Sequence, residues 1–274
     1  MPELPEVETI IRDLIDQNIV GRTIENVIVR NKNSLQNKTS GSFFIIKNQK
    51  IVAIYRRGKY IVFQLSNYHL LSHLRMTGKF KISNKKTNFD KHEQIIFLLD
   101  NDKTLSFHDT RKFGRIYLTD NPQEILSKLG VEPLSEGFSL SALEHILEHH
   151  KRMIKPLMLD QTLIAGLGNI YVDEALWLSQ IHPQEISNKI PRRKIKRLHQ
   201  AIKTVLRRGI KNSGTSLGRG VGNFYSLGKL GNNQDTLSVF GKTGLPCPRC
   251  KHKITKLIVG QRGTHICDKC QLKK

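Results

Sequence analysis

A chain of 274 residues is long enough for two modest domains with separate cores and short for three. Lys plus Arg total 45 against 23 for Asp plus Glu, a formal charge of +22 spread along the chain, so the expected partner is a polyanion and foremost a nucleic acid. No stretch approaches the roughly 18 to 20 apolar residues of a spanning helix, and the acidic N-terminus lacks the basic and apolar regions of a secretory signal; a cytoplasmic protein is expected, with no membrane partner.

The chain begins Met-Pro-Glu-Leu-Pro-Glu-Val-Glu. Pro2 is small, so removal of Met1 is expected, and it leaves a secondary amine followed directly by the carboxylate of Glu3. An N-terminal amine titrates near pH 8, roughly 2 to 3 units below a lysine. It has a free-base fraction at neutral pH and can attack an electrophilic carbon to form an imine. A plainer reading stays open: Pro2 and Pro5 shape a helix entrance, with Glu3, Glu6 and Glu8 favoured by the dipole of its first turn.

Residues 6 to 16 have the period of a helix with Val7, Ile10, Ile11, Leu14 and Ile15 on its apolar face. From about 22 to 120 the pattern is β-rich: Thr23–Arg30, Lys50–Tyr55, Tyr60–Leu65, Gln94–Leu99 and Thr104–Phe107 read as strands. Arg57-Gly58 and Asp100-Asn101-Asp102 mark hairpin turns. Such strands suggest a sandwich or barrel. Pro122 and Val131-Glu132-Pro133 mark the passage into a helical half. There Ser141-x-x-Glu144 reads as a capping box, followed by helices over 172–181 and 191–211. The last buries Ile195, Leu198, Ile202 and Val205 and crowds Arg and Lys on its other face, a solvated surface or a contact for an anion.

Between helices lies Ile164-Ala165-Gly166-Leu167-Gly168-Asn169-Ile170, where two glycines allow a sharp turn and bring backbone N–H groups close to an anion. Residues 214–235 contain six glycines and read as a mobile loop. All four cysteines follow: Cys247-x-x-Cys250 and Cys267-x-x-Cys270, separated by sixteen residues. The spacing is that of a ribbon holding one structural zinc through four thiolates, with strands over Ile254–Val259 and Thr264–Ile266. Disulfides are the alternative, disfavoured by a reducing compartment.

Six ordered blocks together resemble the formamidopyrimidine-DNA glycosylase (Fpg, MutM) family of bifunctional glycosylases and abasic-site lyases. They are the N-terminal PELPEVE, Arg56-Arg57-Gly58-Lys59-Tyr60, His73-Leu74-Arg75-Met76, Asp109 to Gly114, Asp160-Gln161 with Ala165 to Glu174, and Arg262-Gly263-Thr264. The resemblance implies an α+β fold. An N-terminal helix and β-sandwich would occupy residues 1–130, a helix–two-turn–helix domain with a mobile loop 131–235, and the zinc ribbon 236–274. It implies a monomer acting on damaged double-stranded DNA. Pro2 matches the nucleophile, Glu3 the acid that protonates the sugar oxygen, and Glu6 a supporting carboxylate. Lys59 matches a phosphate contact with a part in elimination. Met76, Arg111 and Phe113 match the residues that fill the space left by an extruded nucleotide, Arg111 bonding the orphaned cytosine. His73, Asn169 and Arg262 match phosphate contacts.

Leu4 and the Arg111-Lys112-Phe113 block favour the branch of the family acting on oxidised purines, because the oxidised-pyrimidine branch usually begins Pro-Glu-Gly-Pro. Phe240 stands where many relatives carry tyrosine. The stretch Gly218 to Gly222, which in relatives caps the flipped base, departs from the family pattern. A catalytically silent DNA-binding protein of the same fold remains the competing reading.

Overall fold

The structure, a computed structural model, describes residues 1–84, 88–217 and 224–273. The capping stretch Gly218 to Gly222 lies outside the described residues. Two compact units make up the chain: Met1–Ser127 with Asn212–Asn232, and Lys128–Lys211 with Asn233–Lys274. Residues 212–232, placed with the helical domain on sequence grounds, thus group with the first unit. The reason is hydrogen bonding remote in sequence: Thr215 bonds to Glu6, and the Ser226 hydroxyl bonds to Asp13.

The first unit opens with α1 (Leu4–Asp16). Its buried stripe is Val7, Ile10, Ile11 and Leu14, whereas Ile15, expected on that face, sits at its edge and is exposed. Among the described residues nine strands follow: β1 (Ile24–Val29), β2 (Leu35–Asn37), β3 (Ile51–Arg57), β4 (Tyr60–Leu65), β5 (His69–His73), β6 (Lys79–Asn84), β7 (Glu93–Leu99), β8 (Lys103–His108) and β9 (Arg115–Thr119). They form a four-stranded sheet in the order β1-β7-β8-β6 and a five-stranded sheet in the order β2-β9-β5-β4-β3. All neighbours are antiparallel except β2 and β9.

Alternate residues of both sheets meet in one core, as a sandwich requires. Ile24, Phe80, Phe97 and Leu105 come from one sheet and Ile54, Phe63, Leu70 and Ile116 from the other. Phe63 and Phe80 join the layers edge to face with centroids 5.3 Å apart. Helix α1 adds its stripe to the same cluster and packs on β3 and β4. The first stretch of this unit ends with the short α2 (Gln123–Leu126).

The second unit contains α3 (Leu140–Glu148), α4 (Ile154–Leu159), α5 (Asn169–Ser179), α6 (Arg192–Lys211), and the ribbon strands β10 (Thr255–Val259) and β11 (Arg262–Ile266). The expected capping box at Ser141 is not the helix start. Ser139 is the N-cap of α3 and its hydroxyl accepts from the Ala142 N–H at 3.1 Å, which puts Ser141 inside the first turn. In α6, Ile195, Leu198, Ile202 and Val205 are buried as the periodicity requires.

A fully buried ion pair ties α4 and α5 to the ribbon. Lys155 Nζ lies 2.6 Å from Asp173 Oδ1 and donates to Thr264 Oγ1 at 2.8 Å and to the Gly263 carbonyl at 3.2 Å. The second carboxylate oxygen of Asp173 accepts from the His265 N–H at 2.8 Å. Removing one partner of such a pair strands the other charge in a dry interior. Lys155→Ala is therefore expected to destabilise the second unit by about 3–5 kcal/mol. The check is the denaturant midpoint of the zinc-loaded protein followed by Trp177, the single tryptophan, which sits in this unit.

Candidate active site and metal centre

Glu3 is the N-cap of α1, with Pro5 in the first turn where its missing N–H costs nothing. Glu6 reaches back over that turn. Its Oε2 accepts from the Glu3 N–H at 2.9 Å, and its Oε1 accepts from the Thr215 N–H at 2.8 Å. Both carboxylates are buried. The loop base closes tightly on this pair: Gly214 has φ +81°, and a Cβ there would stand 2.9 Å from the Phe224 ring and 3.0 Å from Glu6 Cγ. Ser216 completes the clasp, donating to the Phe224 carbonyl at 2.7 Å and accepting from the Gly231 N–H at 2.9 Å. Glu3 and Glu6 are thus held together, with Pro2 the residue before Glu3, and Thr215 joins them, a residue that carried no sequence signal.

Lys59 sits in the two-residue turn between β3 and β4, where Arg57 pairs with Tyr60, and is buried. On the neighbouring strand His73 packs edge-on against Tyr60 at 4.9 Å. Burial drives the His73 pKa down to about 3, helped by the charges of Arg75 and Lys59. Its Nδ1 accepts from the Arg75 N–H at 3.1 Å. A neutral imidazole accepting at Nδ1 carries its proton on Nε2, so His73 is a neutral donor suited to a phosphate oxygen.

Met76 and Phe113 are large apolar side chains with 43 % and 48 % exposure, on two loops held by one buried carboxylate. Asp109 Oδ1 accepts from the Arg111 N–H at 3.1 Å and from the Thr77 hydroxyl, and its Oδ2 accepts from the Gly114 N–H at 2.7 Å. The Arg111 guanidinium stacks over the Phe113 ring at 4.7 Å. Met76, Arg111 and Phe113 are therefore presented by a rigid base with their tips outward. Asp109 falls in a recognised block but nothing in the sequence marks it as the organiser.

In the second unit Asn169 begins α5, and its amide nitrogen donates to the Gly263 carbonyl at 2.9 Å. Arg262, the residue before Gly263, opens β11 after a two-residue turn in which Gly260 and Gln261 have φ +55° and +61°, the left-handed pair a tight hairpin needs. Asn169 and Arg262 are thereby brought to one place. Their Oδ1 and guanidinium differ in state: Asn169 Oδ1 is buried without a hydrogen-bond partner among the described residues, while Arg262 is exposed.

The Sγ atoms of Cys247, Cys250, Cys267 and Cys270 lie within 4.8 Å of one another, with Cys250 and Cys267 3.4 Å apart and Cys247 and Cys270 3.9 Å apart. Bonds of about 2.3 Å to a tetrahedral zinc place thiolates roughly 3.8 Å from each other, so the set fits one ion. Trp177 Nε1 donates to Cys247 Sγ at 3.4 Å, a contact that suits a thiolate. Four thiolates leave no position for a reacting water, and the zinc is structural. It anchors the hairpin that carries Arg262. Phe240, at the departure from the family pattern, donates its N–H to Glu174 Oε1 at 3.0 Å and rests its ring against His265 at 4.7 Å.

Three family profiles match in chain order: the formamidopyrimidine-DNA glycosylase N-terminal domain over residues 1–116, the formamidopyrimidine-DNA glycosylase H2TH domain over 129–220, and the zinc finger found in FPG and IleRS over 244–272. A formamidopyrimidine-DNA glycosylase of Protochlamydia amoebophila is 47% identical over 276 residues, covering 100% of both chains. One of Streptococcus thermophilus is 42% identical over 99% of each. Among solved structures, the MutM (FPG) protein from Thermus thermophilus superposes with a TM-score of 0.88 at 35% identity over 98% of each chain. A Lactococcus lactis FPG mutant in complex with a Fapy-dG containing DNA gives 0.91 at 38% identity, covering 99% of this chain and 100% of that one.

Two histidines, His108 buried and His73 half-buried, set an acid limit for the first unit. Folding holds His73 at about 3 and His108 at about 4, the latter through burial and then the charges of Lys81 and Lys79. Unfolded histidines take up protons near pH 6.5. The unfolded state then binds more protons, so stability is full above about pH 6.5 and falls as pH drops toward 4. Thermal midpoints between pH 7 and 4 are expected to show this fall, and His73→Gln is expected to flatten it.

Proposed function

This chain belongs to the formamidopyrimidine-DNA glycosylase family, and from that premise we propose that it excises oxidised purines from duplex DNA and then cuts the abasic site. The substrates are 8-oxoguanine and formamidopyrimidines opposite cytosine. The observation that carries this reading is the Glu6 carboxylate, which takes the N–H of Glu3 and the N–H of Thr215 and so ties the residue that follows Pro2 to the base of the loop. Loss of Met1 frees the Pro2 nitrogen from its amide.

The Pro2 nitrogen attacks the anomeric carbon as the bond to the damaged base breaks. Glu3, adjacent in sequence and buried, protonates the sugar oxygen and the ring opens to an iminium. Removal of a proton from the neighbouring sugar carbon expels the 3′ phosphate, and a second elimination expels the 5′ phosphate. The result is a one-nucleotide gap with phosphates at both ends. Lys59, beside His73 in the buried turn, supplies a cation to the leaving phosphate.

An amine on a rigid helix start reaches a sugar carbon only when the nucleotide leaves the stack. Met76, Arg111 and Phe113 fill the vacated space, their loops stiffened by Asp109. His73, Asn169 and Arg262 hold the flanking phosphates, and the unpartnered Asn169 Oδ1 is left for a donor outside the described contacts. One chain thus holds the nucleophile, the acid, the filling residues and the phosphate contacts, and the proposed reaction needs no second copy. Among the described residues no helix is long and apolar enough to cross a membrane.

The test is cleavage of a duplex with 8-oxoguanine opposite cytosine. Wild-type protein lacking Met1 is expected to give the doubly phosphorylated gap, Pro2→Gly to give none, and Glu3→Gln to slow base release by about 10²- to 10⁴-fold. Equal cleavage by Pro2→Gly would overturn the reading. Affinity should fall steeply with salt, and Arg262→Ala is expected to reduce the log–log slope by about one.

A further inference from the structure

The turn that carries Lys59 is tied to the helix that carries Pro2 by one side chain. Arg56, at the end of β3, points Nε at Glu8 Oε2 at 3.1 Å and donates from Nη1 to the Gly58 carbonyl at 3.1 Å. Its side chain is only 12% exposed. Glu8 lies on α1, five positions after Glu3. The other oxygen of Glu8 meets Arg12 at 3.4 Å on the exposed helix face, a pair that does not involve the turn. Arg56 is thus a strut: one nitrogen bonds the nucleophile's helix and another the peptide immediately before Lys59.

We propose that Arg56, held by Glu8, is a positioning residue for the elimination steps, setting Lys59 relative to the N-terminal amine. This rests on the reading of Pro2 and Lys59 given above. Two donors in a fixed planar fork are needed to bridge a carboxylate and a carbonyl at once, so lysine does not replace arginine here. Base release depends on Pro2 and Glu3, and Glu3 is held by Glu6, which bonds the N–H groups of Glu3 and Thr215. Elimination depends on where the Lys59 cation stands, so loss of the strut separates the two activities.

The variants are Arg56→Ala, Arg56→Lys, Glu8→Ala and the Arg56→Ala/Glu8→Ala double, with Arg12→Ala as control. Three quantities are read: free base released from an 8-oxoguanine duplex, scission of a duplex carrying a pre-formed abasic site, and borohydride-trapped adduct. Scission is expected to fall about 10- to 100-fold in the single variants, while base release changes less than about threefold. The double variant is expected to be no worse than Arg56→Ala, because the two residues act as one unit. Trapped adduct is expected to rise as the imine persists. Arg12→Ala is expected to track wild type, and thermal midpoints to show that all variants fold. Base release and scission falling in equal proportion, or neither falling, overturns the proposal alone. Absence of any adduct from the wild-type protein overturns both the proposal and the reading beneath it.

Discussion

Glu6 is the constraint on which the first unit's chemistry depends. A buried carboxylate is costly unless its oxygens are bonded, and here each oxygen takes one backbone N–H from a different part of the chain, Glu3 and Thr215. Charge-assisted bonds of this kind are short and directional. The result is that the first residues, which in most proteins fray, are fixed to the base of a loop more than two hundred positions away. Gly214 is part of the same device, since a side chain there would press on both Glu6 and Phe224. In the proposed chemistry the nucleophile is the N-terminal amine, and the clasp fixes the residue next to it.

The same physical solution recurs wherever a contact residue must be placed. Asp109 gathers the N–H groups of Arg111 and Gly114 and so stiffens the loops bearing Met76, Arg111 and Phe113. In the second unit Asp173 pairs with Lys155 and takes the His265 N–H, while Glu174 accepts from the N–H groups of Ser238, Val239 and Phe240. These two neighbours on α5 join the helical part to the hairpin between the two cysteine pairs and to the segment before the first pair. The zinc adds the covalent-strength end of this frame and anchors the hairpin on which Arg262 stands. Buried acids thus organise a strongly basic protein: the exposed cations attract DNA, and the interior carboxylates decide where the reactive groups point.

Features encoded locally were readable in the sequence. Tyr60–Leu65 is a strand with the boundaries its apolar run suggests, α6 buries the four residues its period selects, and the cysteine spacing foretold the metal site. Features that depend on remote partners were not. Strands β5 and β9 carry mixed residues whose role emerges only when they pair with each other, and β2 exists through a parallel pairing with β9. Helix α4 is six residues long with Pro156 in its first turn, too short for a periodic signal. At α3 two serines compete for the N-cap, and the earlier one wins because its hydroxyl meets the Ala142 N–H. Lys155 reads as one more surface lysine in a basic chain; only the fold shows it to be buried. For the site, the expected DNA and sugar contacts came from the resemblance, whereas Thr215 lies outside its motif blocks and Asp109 and Arg56, though inside them, show their bonds to neighbouring segments only in the fold.

The identity of the attacking atom is the point on which the proposed chemistry turns. The decisive measurement is peptide mapping by mass spectrometry of the adduct trapped with borohydride on an 8-oxoguanine duplex, using protein whose Met1 has been removed. A sugar remnant on the nitrogen of Pro2 is the expected result. A remnant on Lys59 or any other lysine, with Pro2 unmodified, would contradict it.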